Sequence, residues 1–316
     1  MHSPKSLKNN PFPQSFSLRS PAKLNLYLKV LNKRKDGFHN IETVFEKIDL
    51  CDQLILKNNR AGRIHISSNH PHCPANKTNL AYKAASMLKS DLVVSSGVDI
   101  AIKKMIPVAS GLGGGASNAA FTLLGLNRLW GLHLSQKQLL NYAQKIGSDV
   151  AFFINPQGFA RGEGRGEKIT PLNKIKPIWH VLVVPNIKLS TAEAYKRIEA
   201  LRKARSGFKK RTDTKILTKG SSNVNILIRA LRKGDYFLLS ECLFNDFSSP
   251  LFRTYPGLLK IKDRLEALVG KRCSFSGKGP SIFGLVKSRK EALAVKKRFT
   301  ESGCQVFVVR TFLARS

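Results

Sequence analysis

Acidic side chains are scarce in this chain. Twenty Asp and Glu stand against 54 Lys and Arg, a formal charge of +34. From Ile100 to Ser148 there is no carboxylate at all, and Asp149 is the first one met. That gap leaves no evident carboxylate ligand for a metal in this stretch, and no metal-holding residue is assigned. Long apolar runs are missing too: none approaches the roughly 20 residues that a bilayer span needs. The five cysteines (Cys51, Cys73, Cys242, Cys273, Cys304) are scattered, odd in number and without a Cys-x-x-Cys pair. They read as reduced thiols of a cytoplasmic protein, not as a disulfide frame. His70-x-His72-Cys73 has no second ligand cluster, and Pro71 and Pro74 mark it as a surface turn. Residues 1–19 lack any acid and any apolar core for a signal peptide. They read as a disordered extension, with a short organellar transit segment as the alternative.

What the chain does hold is one glycine-rich stretch, Pro107-Val108-Ala109-Ser110-Gly111-Leu112-Gly113-Gly114-Gly115-Ala116-Ser117. Four glycines in five positions do not suit a helix interior or a packed strand, because glycine loses the most backbone freedom on folding. Apolar and small residues follow at once (Ala119, Ala120, Phe121, Leu123, Leu124), as in a helix. A bendable backbone running into a helix N-terminus offers unpaired N–H groups and the positive end of the dipole, which suits a di- or triphosphate. A Walker A loop is excluded, since the turn lacks its Gly-Lys-[Ser/Thr] ending. Gly111-x-Gly113-x-x-Ala116 fits the Gly/Ala form of the dinucleotide fingerprint. That fold needs an acid about 20 residues on to hold a ribose hydroxyl, and none is there.

Periodicity gives strands over 23–31, 43–50, 63–67, 98–103, 179–185, 274–275, 282–286 and 305–309. Helices are expected over 78–88, capped near Lys77-Thr78, and over 118–129, 135–145, 191–201, 224–233 and 258–268, with one more from Arg289. This strand-first, mixed layout divides near 170–178.

The glycine stretch with its following Asn118-Ala119-Ala120 resembles the second motif of the GHMP small-molecule kinases (galactokinase, homoserine kinase, mevalonate kinase and relatives). Ser20-Pro21-Ala22-Lys23-Leu24-Asn25-Leu26, followed by Asp36-Gly37-Phe38-His39, is similar to the opening motif. Ser276-Gly277-Lys278-Gly279-Pro280-Ser281-Ile282-Phe283 is similar to the glycine-rich third motif. The likeness is greatest to the branch whose acceptor is a cytidine diphosphate ester of methylerythritol. It implies an α+β fold of two domains: 20–174, with a mixed sheet and helices, and 175–316, a ferredoxin-like α/β sandwich, with the active site in the cleft between them. It further implies ATP with Mg²⁺, no membrane partner, and a monomer or homodimer.

The same resemblance assigns roles. Lys23 and Asp149 would serve as the catalytic pair, Asp149 orienting or deprotonating the acceptor hydroxyl and Lys23 stabilising charge. A carboxylate beside the apolar run Val150-Ala151-Phe152-Phe153 is costly unless paired, which suits a lysine partner. Without the resemblance, the same two residues read as a helix-end cap and a strand-edge charge. Backbone N–H groups of Ser110 through Ser117 would hold phosphates, with hydroxyl bonds from Ser110 and Ser117, or Ser117 as a helix cap. Asn79, Leu80 and Lys104 would enclose adenine, Asn25 would face the methylerythritol hydroxyls, and Phe38, His39 and Tyr195 would bind cytosine by stacking and edge contacts. Gly277 and Gly279 would let the backbone approach the diphosphate. Three positions depart from the family pattern: Ala116 stands where a second serine is usual, Phe38 where tyrosine is common, and Lys278 where a small polar residue is frequent.

The charge is densest at Arg202-Lys203-Ala204-Arg205, Lys209-Lys210-Arg211 and Lys215–Lys219. A nucleic-acid partner is the direct reading of such a surplus. Against it, aromatics are not interleaved with the basic residues and no RNA-binding signature is present. The alternatives to the leading reading are another GHMP small-molecule kinase and a basic nucleic-acid-binding protein on a kinase scaffold. Gly37-Phe38-His39 speaks against the first, and the intact Lys23, Asp149 and glycine loop against the second.

Overall fold

The computed structural model describes residues 14–187, 189 and 223–313. Tyr195, the expected helix over 191–201 and the basic segment 202–219 lie outside them. Contacts gather the chain into two compact units, and the chain passes between them several times. One holds residues up to Ser20, Cys51–Ile106 and Gly114–Ile154; the other holds Pro21–Leu50, Pro107–Gly113 and Asn155 onward.

In the first unit the end of β2 (His39–Asn59) pairs antiparallel with β4 (Gly97–Lys103), from Gln53 opposite Lys103 to Asn59 opposite Gly97. β3 (Ile64–Ser68) adds to β4 in parallel. Helix α1 (Leu80–Asp91) buries Ala81, Ala84, Ala85 and Leu88, a one-face repeat that lets it pack on α2 (Gly114–Leu129). α2 approaches the strands closely at Gly125, where a Cβ would stand 2.4 Å from Leu56 Cδ1 and 2.8 Å from Leu18 Cδ1. α3 (Gln136–Ile146) starts with a capping box between Ser135 and Gln138, and α4 (Val150–Ile154) is wholly buried.

The second unit contains the other parts of β1 (Ser15–Lys33) and β2. Here β2 pairs antiparallel with β5 (Phe159–Glu163), which pairs with β6 (Lys168–Leu172), and β1 pairs in parallel with the short β8 (Phe244–Asn245). Helices α5 (Asn223–Lys233), α6 (Tyr236–Glu241) and α7 (Ser248–Thr254) lie around β8 in the sequence. A second sheet has the order β11-β7-β10-β9, from β7 (Trp179–Pro185), β9 (Cys273–Phe275), β10 (Ile282–Val286) and β11 (Cys304–Arg310). With α8 (Pro256–Val269) and α9 (Arg289–Arg298) it reads β-α-β-β-α-β, the split arrangement of ferredoxin-like sandwiches. Val181, Val183, Phe275, Ile282 and Val286 meet Leu258, Ile261 and Leu265 of α8 and Val295 of α9 in its core. Gly270, left-handed at φ 67°, ends α8.

Several boundaries differ from those expected. β1 begins at Ser15, inside the stretch read as disordered, and alternates exposed Ser15, Ser17 and Arg19 with half-buried Phe16 and Leu18. β1 and β2 run well past the expected 23–31 and 43–50; in the added part of β2 the polar Asp52 is fully buried. α1 is capped by Asn79, one residue past the expected Lys77-Thr78. β5, β6 and the short helices α4, α6 and α7 were not anticipated, being too short or too rich in Gly and charge to show a period.

Candidate active site

The three motif segments are tied together within the second unit. Lys23 N donates to Leu112 O at 2.9 Å, joining the first strand to the glycine loop. The Ser276 hydroxyl is shared between Lys23 O at 3.2 Å and Gly111 O at 3.0 Å, and Ser281 N reaches Ser110 O at 3.3 Å. Asn245 holds the third motif from the other side, donating to Phe275 O and Gly277 O and accepting from Phe247 N. The expected residues Asn25, Gly111, Leu112, Gly277 and Lys23 are thus neighbours.

Their backbones approach so closely that side chains are excluded. Gly111 has φ +81°, and a Cβ there would lie 2.4 Å from Ser276 O and 2.8 Å from Gly279 O. Gly277 has φ +56°, and its Cβ would stand 3.0 Å from Gly111 O and 3.2 Å from Lys23 Nζ. Lys23 is buried, with 3% of its surface exposed. Its ammonium donates to Asn25 Oδ1 and lies 5.7 Å from the centre of the Phe45 ring. Asn25 in turn donates to Thr43 Oγ1 at 2.8 Å, and Thr43 donates to Tyr27 O. This chain fixes which face of the Asn25 amide meets the ammonium. Thr43 and Asn245, which hold these groups, lie in no recognisable motif, so a single sequence gives no signal for them.

The glycine loop continues straight into α2, which starts at Gly114 and not at Asn118 as expected. The amides of a first helical turn have no intrahelical acceptors. Those amides, Gly114 to Ser117, therefore point out of the helix end. A Cβ on Gly115 would meet nothing closer than Leu80 Cδ1, at 4.0 Å. One on Gly114 would come within 3.0 Å of Lys104 Nζ. A helix end of this kind favours an anion through its free amides and dipole. Ahead of it, Pro107 O accepts the Ser110 hydroxyl at 2.6 Å, Val108 is exposed, and Ala109 and Gly113 hold positive φ. Ser117 is buried, its Oγ 2.7 Å from that of Ser20, which also donates to Asn118 Oδ1.

The remaining expected residues are distributed as follows. Asn79 caps α1, its Oδ1 accepting from Ala81 N and its Nδ2 donating to Pro74 O, with Leu80 next to it facing Gly115. Phe38 is exposed on the β1–β2 turn, and the Arg165 guanidinium covers its ring at 5.2 Å. His39 follows, half-buried, at the start of β2. Desolvation pushes the Asp36 carboxyl up, but the Arg34 guanidinium and the Phe38 amide outweigh it and leave its pKa below the ordinary value. Gly279 has φ +74° and packs near Leu251 and Phe275. Asp149 is half-buried in the short link from Gly147, the C-cap of α3, to α4.

Comparison with known proteins agrees with this arrangement. The family profile "GHMP kinases N terminal domain" fits residues 79–156, and "GHMP kinases C terminal" fits 227–303. A 4-diphosphocytidyl-2-C-methyl-D-erythritol kinase of Geobacillus kaustophilus is 38% identical over 93% of this chain and 96% of its own length. One of Alkaliphilus metalliredigens is 35% identical over 94% and 97%. The crystal structure of a 4-(cytidine 5'-diphospho)-2C-methyl-D-erythritol kinase superposes with a TM-score of 0.73 at 28% identity, covering 93% of this chain and 99% of that one. The homoserine kinase of Cytophaga hutchinsonii, at 20% identity and a TM-score of 0.70, shares the fold. The chain therefore belongs to the GHMP kinases, in their family of 4-diphosphocytidyl-2-C-methyl-D-erythritol kinases.

Proposed function

We propose that this chain transfers the γ-phosphoryl group of ATP to the 2-hydroxyl of 4-diphosphocytidyl-2-C-methyl-D-erythritol, giving the 2-phosphate and ADP. The reaction belongs to the non-mevalonate route to isopentenyl diphosphate. The observation that carries the reading is the meeting of Lys23 and Asn25 with Gly111, Leu112 and Gly277, in a chain whose relatives bear that enzyme's name. ATP supplies the electrophilic phosphorus, and Mg²⁺ accompanies it.

Each residue's part follows from its chemistry. The amides at the start of α2 orient the triphosphate and offset its charge, and Asn79, Leu80 and Lys104 enclose adenine, the Lys104 ammonium lying at the helix end beside Gly114. Lys23, held by Asn25, offers a fixed cation for charge that develops in the transfer. Asp149 orients the acceptor hydroxyl and receives its proton. Phe38 offers an aromatic face to cytosine and His39 a hydrogen-bonding edge. Gly277 and Gly279 leave room for the diphosphate. Mg²⁺ would be held mostly by phosphates and water.

The coarser assignments are part of the same reading. The division of the chain at 174/175 is supported by the two family profiles, which fall on either side of it. A cytoplasmic location is supported by five cysteines that are scattered along the chain and odd in number. Among the described residues no helix is long and apolar enough to cross a membrane. The partner is a small molecule, bound by a monomer or homodimer.

One assay tests the activity: ADP release with the cytidine diphosphate ester, mevalonate and homoserine as competing acceptors. Only the first should be phosphorylated, and turnover of either other acceptor at a comparable kcat/KM refutes the assignment. In the same assay Asp149→Asn should lower kcat by about 100-fold or more while ATP affinity stays near that of the parent.

A further inference from the structure

Asp52 has no part in the roles given so far, yet it sits fully buried on β2 beside the approach to the glycine loop. Its Oδ1 accepts from Met105 N at 2.8 Å and Ile106 N at 2.9 Å. Its Oδ2 accepts from the Lys104 ammonium in an ion pair with 5% of the lysine and none of the aspartate side chain exposed. Lys104 N is separately fixed by Asn69 Oδ1 at 2.7 Å. The lysine is therefore anchored at both ends, backbone and tip.

The tip is in an electrostatically awkward place. Lys104 Nζ lies 3.0 Å from the point where a Cβ of Gly114 would be, at the first residue of α2. The N-terminus of a helix carries positive partial charge, so an ammonium there is repelled unless an anion compensates. A bound phosphate would supply that anion only when nucleotide is present. Asp52 supplies it at all times. A buried ion pair is seldom explained by stability alone, because apolar residues of similar volume serve as well or better.

We propose that Asp52 is a positioning residue for the nucleotide: it keeps the Lys104 ammonium at the start of α2, ready for phosphate. The proposal rests on the reading of this end as the ATP site. It does not depend on which alcohol accepts the phosphoryl group. Asp52 acts through Lys104 and touches no reacting atom.

Asp52→Asn separates this role from a merely structural one. The asparagine keeps an oxygen for the Met105 and Ile106 amides and replaces the oxygen that accepts from Lys104 with an uncharged NH₂ donor. Binding of a fluorescent ATP analogue with Mg²⁺, measured without acceptor, should weaken about tenfold in Asp52→Asn and by a similar factor in Lys104→Met. The double variant should be no weaker than Lys104→Met alone, since Asp52 works only through that lysine. Acceptor KM should change less than about twofold. Wild-type ATP binding in Asp52→Asn overturns the proposal, and so does a loss that adds in full to that of Lys104→Met. Should Asp52→Asn not fold, Lys104→Met decides by itself: unchanged ATP affinity overturns the proposal, and a tenfold loss upholds it. A parent protein that binds the analogue but phosphorylates no cytidine ester refutes the acceptor assignment while leaving this test intact.

Discussion

Two glycines four residues apart in one motif sit in opposite surroundings. Gly111 sits where its own protein leaves no room: a left-handed φ, and backbone carbonyls of the third motif within 2.4 and 2.8 Å of any Cβ. Gly115 sits where the protein leaves room unused, its nearest neighbour a leucine methyl 4.0 Å off, in a helical turn any residue could adopt. The first glycine lets three segments come together; the second leaves the helix end bare. Read as sequence, Gly-Leu-Gly-Gly-Gly gives them equal weight. The structure separates a glycine that packing requires from one that packing does not.

The comparison breaks most visibly at Gly111. In Gly111→Ala the methyl group meets backbone oxygens that no rotamer change can move, at a φ that penalises any Cβ. A loss of upwards of roughly 3 kcal/mol is expected, read as a lowered midpoint in urea unfolding. Activity should fall more than about 100-fold, since Ser276 and the strand carrying Lys23 share contacts with this turn. Gly115→Ala should behave in the opposite way. Replacing a helical glycine that has space around it stabilises by about 0.5–1 kcal/mol. The same methyl would stand in front of the amides, so KM for ATP should rise about tenfold with kcat little changed. Equal unfolding midpoints for the two variants, or an unchanged ATP KM in Gly115→Ala, would show that both glycines serve packing.

This contrast also marks how far the sequence could be read. The three motifs, the helices that follow a one-face repeat and the strands of the ferredoxin-like half were legible, because each carries a local period or a string of unusual residues. Lys23, Asn25 and Gly277 were named from such strings, and their side chains and backbones do meet. Asp52, Thr43 and Asn245 were not legible. Each is a single polar residue whose partners come from distant parts of the chain, and burial of a lone Asp, Thr or Asn leaves no trace in local pattern. The burial of a charged residue inside a strand is hidden in the same way. Lys47 interrupts the apolar alternation of β2, yet it is buried, donates to Asn155 O, and has its pKa pushed down by that burial to about 7. Tertiary hydrogen bonding overrides the pattern that periodicity relies on.

The smallest expected effect lies one residue beyond Gly115. Ala116 stands where the family usually has a serine, and it occupies the third position of α2, in the turn whose amides point out of the helix end. If that end meets the triphosphate, Ala116→Ser adds a hydroxyl donor beside an anion. A hydrogen bond to a charged group contributes about 1.5–3 kcal/mol at best, and part of this is offset by hydration of the free hydroxyl. KM for ATP should therefore fall about threefold, with kcat unchanged. Stability should move by less than about 0.5 kcal/mol, as Ser is only slightly poorer than Ala in a helix and is well tolerated in a first turn. Ala116→Ser and Gly115→Ala should thus shift ATP affinity in opposite directions through neighbouring atoms, which general loosening of the loop cannot produce. A rise in KM in both variants would mean that any added atom here obstructs the nucleotide, and that the family's second serine is tolerated at this position for reasons other than binding.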